Sequence, residues 1–169
     1  MSILTKNEIK KAIQTGDIKI EPFDETAIGA GSIDLRLGNK FRVFKRAEQV
    51  YDVTEEIDYH DISEAIEADE IVISPGETIL GITEEKITLA PNICGWLEGR
   101  SRFARLGLMI HISASFMQPG ISNHQVLEIS NMGHVPFRLH AGTRFCQFVF
   151  EQTVGEARYE GKFKGQTAP

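Results

Sequence analysis

The sequence predicts a mainly β domain, a sandwich, jelly roll or distorted barrel, with a short helix at the N-terminus and another near the middle. Three observations lead there. Most apolar residues fall in short runs rich in β-branched and aromatic side chains. Those runs follow closely on one another, and Gly, Pro, Asn or Asp punctuates them. The chain has 169 residues, enough for one domain (1–169) with one sizeable core, and its 41% hydrophobic and 25% charged residues are ordinary for a globular protein.

The first helix starts at Thr5, where Thr5 and Glu8 have the spacing of a capping box. Ile9, Ala12 and Ile13 form its apolar stripe and Gly16 stops it. Strands are then predicted in "IKIEPF", "SIDLRLG", "KFRVF", "EIVIS", "ETILGIT", "KITLA", "ICGWLEG", "HQVLEIS", "VPFRLH" and "TRFCQFVF". "SEAIEADE" (63–70) has a charge run with no apolar face and reads as a solvated loop. "RSRFARL", bounded by Gly99 and Gly107, predicts a helix of about two turns. From Val154 onward apolar periodicity is lost, which predicts a mobile C-terminal segment over 154–169.

The net charge of −6 argues against a general nucleic-acid or membrane-surface binder, since both need excess Lys and Arg. An anionic ligand would need a local basic site or a metal ion. The start "MSILTKNEIKK" is too polar for a signal peptide, and no apolar run reaches membrane-spanning length. Cys94 and Cys146 stand in no disulfide-framework spacing and read as buried thiols, so the expected location is the cytoplasm.

Against that acidic background, "EGRSRFARLG" (98–107) concentrates three arginines, Arg100, Arg102 and Arg105. On a helix, Ser101 and Arg105 share a face, and Arg100 and Ser101 lie at its N-terminus. One reading is a phosphate site. The other is a surface helix whose arginines pair with Glu98 and other acids. The segment alone favours neither.

In "QVLEISN" the alternation puts Leu127 and Ile129 on the core face and Glu128 on the opposite face with Val126 and Ser130. A carboxylate walled in there suits a general base or acid, whereas an exposed strand residue is the plainer reading. Other chemistries fail on spacing. A zinc nucleobase deaminase needs H-x-E and P-C-x-x-C. Here "PNIC" lacks the second cysteine and H-x-E is absent. His60, His111, His124, His134 and His140 show no metal-ligand spacing. Neither a P-loop nor a G-x-G-x-x-G is present, and Ser101 is not in a G-x-S-x-G elbow.

Taken together, these segments resemble the dCTP deaminase branch of the dUTPase superfamily along most of the chain. "SIDLRLGNKFRVF" resembles the family's N-terminal strand pair, and "EGRSRFARLGLMIH" its "GRSSLARLGLMVH" motif. "VLE" before "SN" resembles the hairpin with the catalytic glutamate, and "KFKGQ" the closing "KYQGQ". The resemblance implies a distorted jelly roll or β-barrel of the dUTPase-like type, a homotrimer with active sites at subunit contacts, and a Mg²⁺-bound nucleoside triphosphate. It implies removal of the cytosine amino group without zinc. Glu128 falls on the glutamate that is general base and proton shuttle. Ser101 and Arg105 fall on the pair that holds the attacking water and the base. Arg100 falls on a triphosphate contact, and Ala114 on the position whose backbone meets the pyrimidine. Lys162 and Gln166 fall on tail residues that close over the phosphates.

The chain departs from the pattern in four places. Arg102-Phe103 replaces "SL", so a cation stands where the family has a phosphate-binding hydroxyl. Phe116 and Gln118 replace a basic residue and an aspartate before P-G, and Ile121 replaces an aromatic after it. Gln118 can hydrogen-bond a sugar hydroxyl but cannot act as a base. That lowers the expectation of dUTP hydrolysis, while Glu128 keeps deamination foremost. Two other functions remain open: a dUTP pyrophosphatase or bifunctional enzyme giving dUMP, and a non-catalytic nucleotide-binding regulator.

Overall fold

The computed structural model describes residues 2–46, 48–111 and 113–169. Thirteen strands and two helices follow in order: β1 (Ser2–Ile3), α1 (Lys6–Thr15), β2 (Ile18–Glu21), β3 (Ile33–Arg36), β4 (Lys40–Phe44), β5 (Ser63–Glu67), β6 (Glu70–Ile73), β7 (Thr78–Leu89), β8 (Ile93–Gly99), α2 (Ser101–Ala104), β9 (Leu108–Ile110), β10 (Phe116–Met117), β11 (Ser122–Asn131), β12 (Phe137–His140) and β13 (Arg144–Gln152). The mainly β class with two short helices is as predicted.

One sheet runs β1–β13–β8–β10, with β3 also on β13. The other runs β5–β4–β7–β11–β9, with β2 also on β7, and β12–β6 form a separate pair. Leu35, Leu97, Phe148 and Phe150 of the first sheet and Ile79, Ile87, Leu127 and Ile129 of the second belong to one buried cluster. Burial of these side chains is the main favourable term in folding. Across the sheets, Arg36 Nε donates to Glu85 Oε1 (2.7 Å) while the Arg36 backbone N–H donates to Oε2 (2.8 Å). Burial pushes the Glu85 carboxyl up, and the two bonds from Arg36 oppose it. Burial also pushes up the thiols of Cys94 and Cys146, so neither is a ready nucleophile. Among the described residues no helix is long and apolar enough to cross a membrane.

Four local expectations are corrected. Residues 63–70 are not a loop. Ser63–Glu67 pairs with β4 as an edge strand, and Glu70 opens β6. An edge strand needs no apolar face, because backbone hydrogen bonds to one neighbour hold it and water solvates its side chains. "ETILGIT" and "KITLA" are parts of one strand of 12 residues, β7; "EE" between them does not break it. The arginine-rich helix is a single turn of four residues, stopped early because the chain must turn at Gly107, where φ is 87°. The capping box does not form: Thr5 is the N-cap of α1 but its side chain makes no cap hydrogen bond. Gly16 does end that helix, in the left-handed conformation at φ 82°.

β8 and β13 approach so closely at Gly95 that a Cβ there would collide with Val149 O and the Phe148 ring. We expect Gly95→Ala to destabilise the fold by about 1–3 kcal/mol, the usual cost of overpacking. Chemical denaturation checks this, through a lower midpoint with an unchanged slope.

Candidate active site

Glu128 sits where the alternation put it. Leu127 and Ile129 are fully buried, while the Glu128 side chain is 36% exposed. It opens on a cavity of about 500 Å³ between β11, His111, residues 114–121 and the C-terminal tail. Ala114, Gln118 and Gln166 line the same cavity, so four of the nominated residues converge there.

The cavity also holds residues that sequence reasoning missed. Asn123 and Gln125 are buried polar side chains in its wall, and Gln125 Nε2 donates to Asn123 Oδ1 (2.8 Å). They alternate with Val126 and Glu128 on β11, but a bulge between His124 and Val126 breaks the simple alternation. His111 is 5% exposed, and its Nδ1 lies 3.0 Å from Glu128 Oε2. That contact is within ion-pair distance but not aligned as a hydrogen bond, and both atoms are buried with no other partner. Its position directly after the "GLMI" run was the one available signal. Tyr159 lines the cavity from the tail, and nothing in its local sequence marks it.

The tail runs along the cavity mouth. Ala157 N–H donates to Pro91 O (2.9 Å) and Tyr159 N–H to Pro119 O (3.0 Å). Asn123 Nδ2 donates to Phe163 O (3.1 Å) and Gln166 Nε2 to His124 O (3.1 Å); the His124 N–H returns a bond to Gln166 O (3.3 Å). Lys162 lies in an adjoining cleft of about 610 Å³ with Lys40 and Arg42, and that cleft shares Tyr59, Phe163 and Gln166 with the first.

Four other nominated residues are not in this cavity. Arg100, Ser101, Arg102 and Arg105 sit on and around α2. Gly107 holds that turn against the loop after β11, where its Cβ would lie 2.8 Å from Gly133 N. Arg100 is tied into its own chain: Nη2 is 2.9 Å from Asp34 Oδ2, and Nη1 donates to Arg144 O (2.6 Å). Arg144 is anchored in turn by Asp24, whose carboxyl is held at about 2 by hydrogen bonds from Thr26 and from Arg144 itself. Ser101, Arg102 and Arg105 are exposed, and among the described residues neither Arg102 nor Arg105 joins an ion pair. The surface-helix reading paired these arginines with Glu98 and other acids; among the described residues one such pair forms, Arg100 with Asp34, and Glu98 takes no part. Among the described residues no group of three or more His, Cys, Asp or Glu side chains is placed to hold a metal ion.

A family described as dCTP deaminase-like matches residues 3–153. The chain belongs to that family. It is 39% identical to a dCTP deaminase of a Marinomonas species over 98% of this chain and 94% of that protein. It is 38% identical to a dUMP-forming dCTP deaminase of Methanopyrus kandleri over 100% of this chain and 94% of that one. Among solved structures, the dCTP deaminase of Agrobacterium tumefaciens superposes with a TM-score of 0.69 at 21% identity, over 88% of this chain and 47% of that longer one. A dUTPase variant from Staphylococcus bacteriophage 80alpha gives 0.53 at 12% identity, over 86% and 96%. At those identities the two structures show the fold shared by deaminase-like and dUTPase chains.

In this dCTP deaminase-like chain the tail is held by the packing of Tyr159 against the core and by hydrogen bonds that can be removed singly. Asn123→Ala deletes the bond to Phe163 O, and such a bond contributes about 0.5–1.5 kcal/mol. Cleavage within 157–166 under limited proteolysis should then speed up roughly two- to ten-fold, with the sheet core still protected.

Proposed function

We propose that the protein deaminates dCTP hydrolytically to dUTP, with Glu128 as general base and a second copy of the chain completing each site. The observation that carries this reading is a half-buried carboxylate in the wall of a 500 Å³ cavity, in a chain of the dCTP deaminase-like family.

The chemistry follows from the residues. Water adds to C4 of cytosine as Glu128 takes one of its protons, and the C4–N3 π electrons move onto N3. Glu128 returns that proton to N3. The remaining hydroxyl proton passes through Glu128 to the exocyclic nitrogen. The C4–N4 bond breaks, ammonia leaves, and C4 keeps the oxygen as a carbonyl. Substrate plus water becomes dUTP plus ammonia, and the glutamate ends as it began. The backbone at Ala114 meets the pyrimidine, Gln118 bonds a sugar hydroxyl, and Lys162 and Gln166 close on the phosphates.

Ser101 and Arg105 would hold the water and the base, and Arg100 and Arg102 the triphosphate with its Mg²⁺. Their place on α2, outside the cavity, supports supply from a neighbouring subunit of the homotrimer that the family resemblance implies. Leu106 (49% exposed) and Met132 (64%) flank α2 and are brought together by the Met132 N–H to Gly107 O bond (2.9 Å), an apolar surface suited to a subunit contact. Arginines on one chain facing a cavity on the next also explain how a protein of net charge −6 receives a polyanion.

The second reading is deamination followed by loss of pyrophosphate to give dUMP, the activity named for several relatives. Gln118 favours the first, because an amide cannot take a proton from the water that would attack the phosphate chain.

Product analysis separates the two. With dCTP and Mg²⁺ we expect ammonia and dUTP in equal amounts; dUMP and pyrophosphate would establish the second reading. A zinc-selective chelator should leave the rate unchanged. Glu128→Gln should bind nucleotide near normally and lose about 10²–10⁴ in turnover. Arg105→Ala should also be impaired. When Glu128→Gln and Arg105→Ala chains are unfolded and refolded together, activity should partly return, because some mixed contacts join two intact halves. No recovery would place both halves of the site on one chain.

A further inference from the structure

We propose that His111 is the positioning residue for the Glu128 carboxylate. The inference rests on the reading of Glu128 as general base.

His111 is held in place from three directions. Its φ is 53°, a left-handed conformation that is unfavourable for a non-glycine residue and persists where the surroundings enforce it. Its backbone N–H donates to Glu128 O (2.8 Å). Its ring Nε2 lies 3.0 Å from Ala114 O. A carbonyl oxygen only accepts, so Nε2 carries the hydrogen. That leaves Nδ1 as the ring atom turned to Glu128 Oε2 at 3.0 Å, and both atoms are buried with no aligned partner.

An imidazole with its single hydrogen on Nε2 presents a lone pair at Nδ1. A carboxylate oxygen presents another, and two lone pairs at that distance repel. A proton on Nδ1 turns the contact into a hydrogen bond and leaves Glu128 a carboxylate. Catalytic hydrogen bonds commonly tighten only when substrate binds. The arrangement commits Oε2 to the imidazole. Oε1 is left to the cavity, as the oxygen that meets water and base. Because the same ring grips Ala114 O, it ties the wall that meets the pyrimidine to the group that moves protons. A buried polar pair with no aligned partner is costly to keep.

The test uses three variants with steady-state kinetics on the folded assembly. His111→Ala should lower kcat about ten-fold or more with KM changed less than about three-fold, the signature of an interaction used in the transition state. His111→Asn should recover most of that loss. Asn tolerates the left-handed backbone, and its amide nitrogen reaches the position of Nδ1 as a permanent donor. On a Glu128→Gln background, His111→Ala should cost nothing further, since the base it positions is already gone. Equal losses in the Ala and Asn variants, or the same loss from His111→Ala on both backgrounds, would overturn the proposal while leaving Glu128 as the base. Wild-type turnover in Glu128→Gln would instead remove the base reading itself, and this proposal with it.

Discussion

The register of β11 against β7 is the constraint on which the site depends. Glu128 faces Leu80 and Leu127 faces Gly81 across that pair. A slip of one residue would turn the carboxylate into the core and Ile129 into the cavity, because side chains alternate with a period of two. The register is pinned at several points. Gly81 leaves only enough room for Leu37 and Ile129, whose side-chain carbons would lie 3.1 and 3.0 Å from an added Cβ. β9 holds the other edge through Ile129 and Ile110. Asn131 closes the strand, donating to Ile73 O and Val135 O and accepting from Gly133 N–H. At the bulge, the Gln125 N–H donates to Thr83 Oγ1 (2.9 Å), so a donor freed from the ladder is not left bare.

Charge is distributed with the same economy. The carboxylate and the carboxamides sit in the cavity, while the arginines stand on α2 or are tied back into the sheet. Arg100 shows why a count of positive residues does not measure binding capacity. Two of its guanidinium nitrogens are engaged by Asp34 and the Arg144 carbonyl, so its orientation is set by its own chain. A pre-set cation loses less freedom on binding than one swinging in solvent.

Much of this was legible in the sequence because it followed from periodicity. The alternation through Leu127, Glu128 and Ile129 assigned each residue its face, and β-branched runs separated by turn residues gave the fold class. What stayed hidden depends on contacts between distant segments. Ser63–Glu67 is a strand because β4 offers it an edge, and no apolar pattern records that. His111 belongs to the cavity only because β9 lies beside β11. The length of α2 was overread since nothing local announces that the chain turns at Gly107 against Gly133. Asn123 and Gln125 were obscured by the bulge between His124 and Val126, which breaks the counting rule used to assign faces.

The tail has a consequence for how fast molecules can come and go. It is tethered to Lys40, Arg42, Pro91, Pro119, Asn123 and His124 through hydrogen bonds, and none of the sheet ladders passes through it. Its release would leave those ladders intact, each bond broken bringing more chain entropy to the next. On the function proposed above, passage past it would be timed by a short polymer lifting and settling as well as by the bonds remade beneath it.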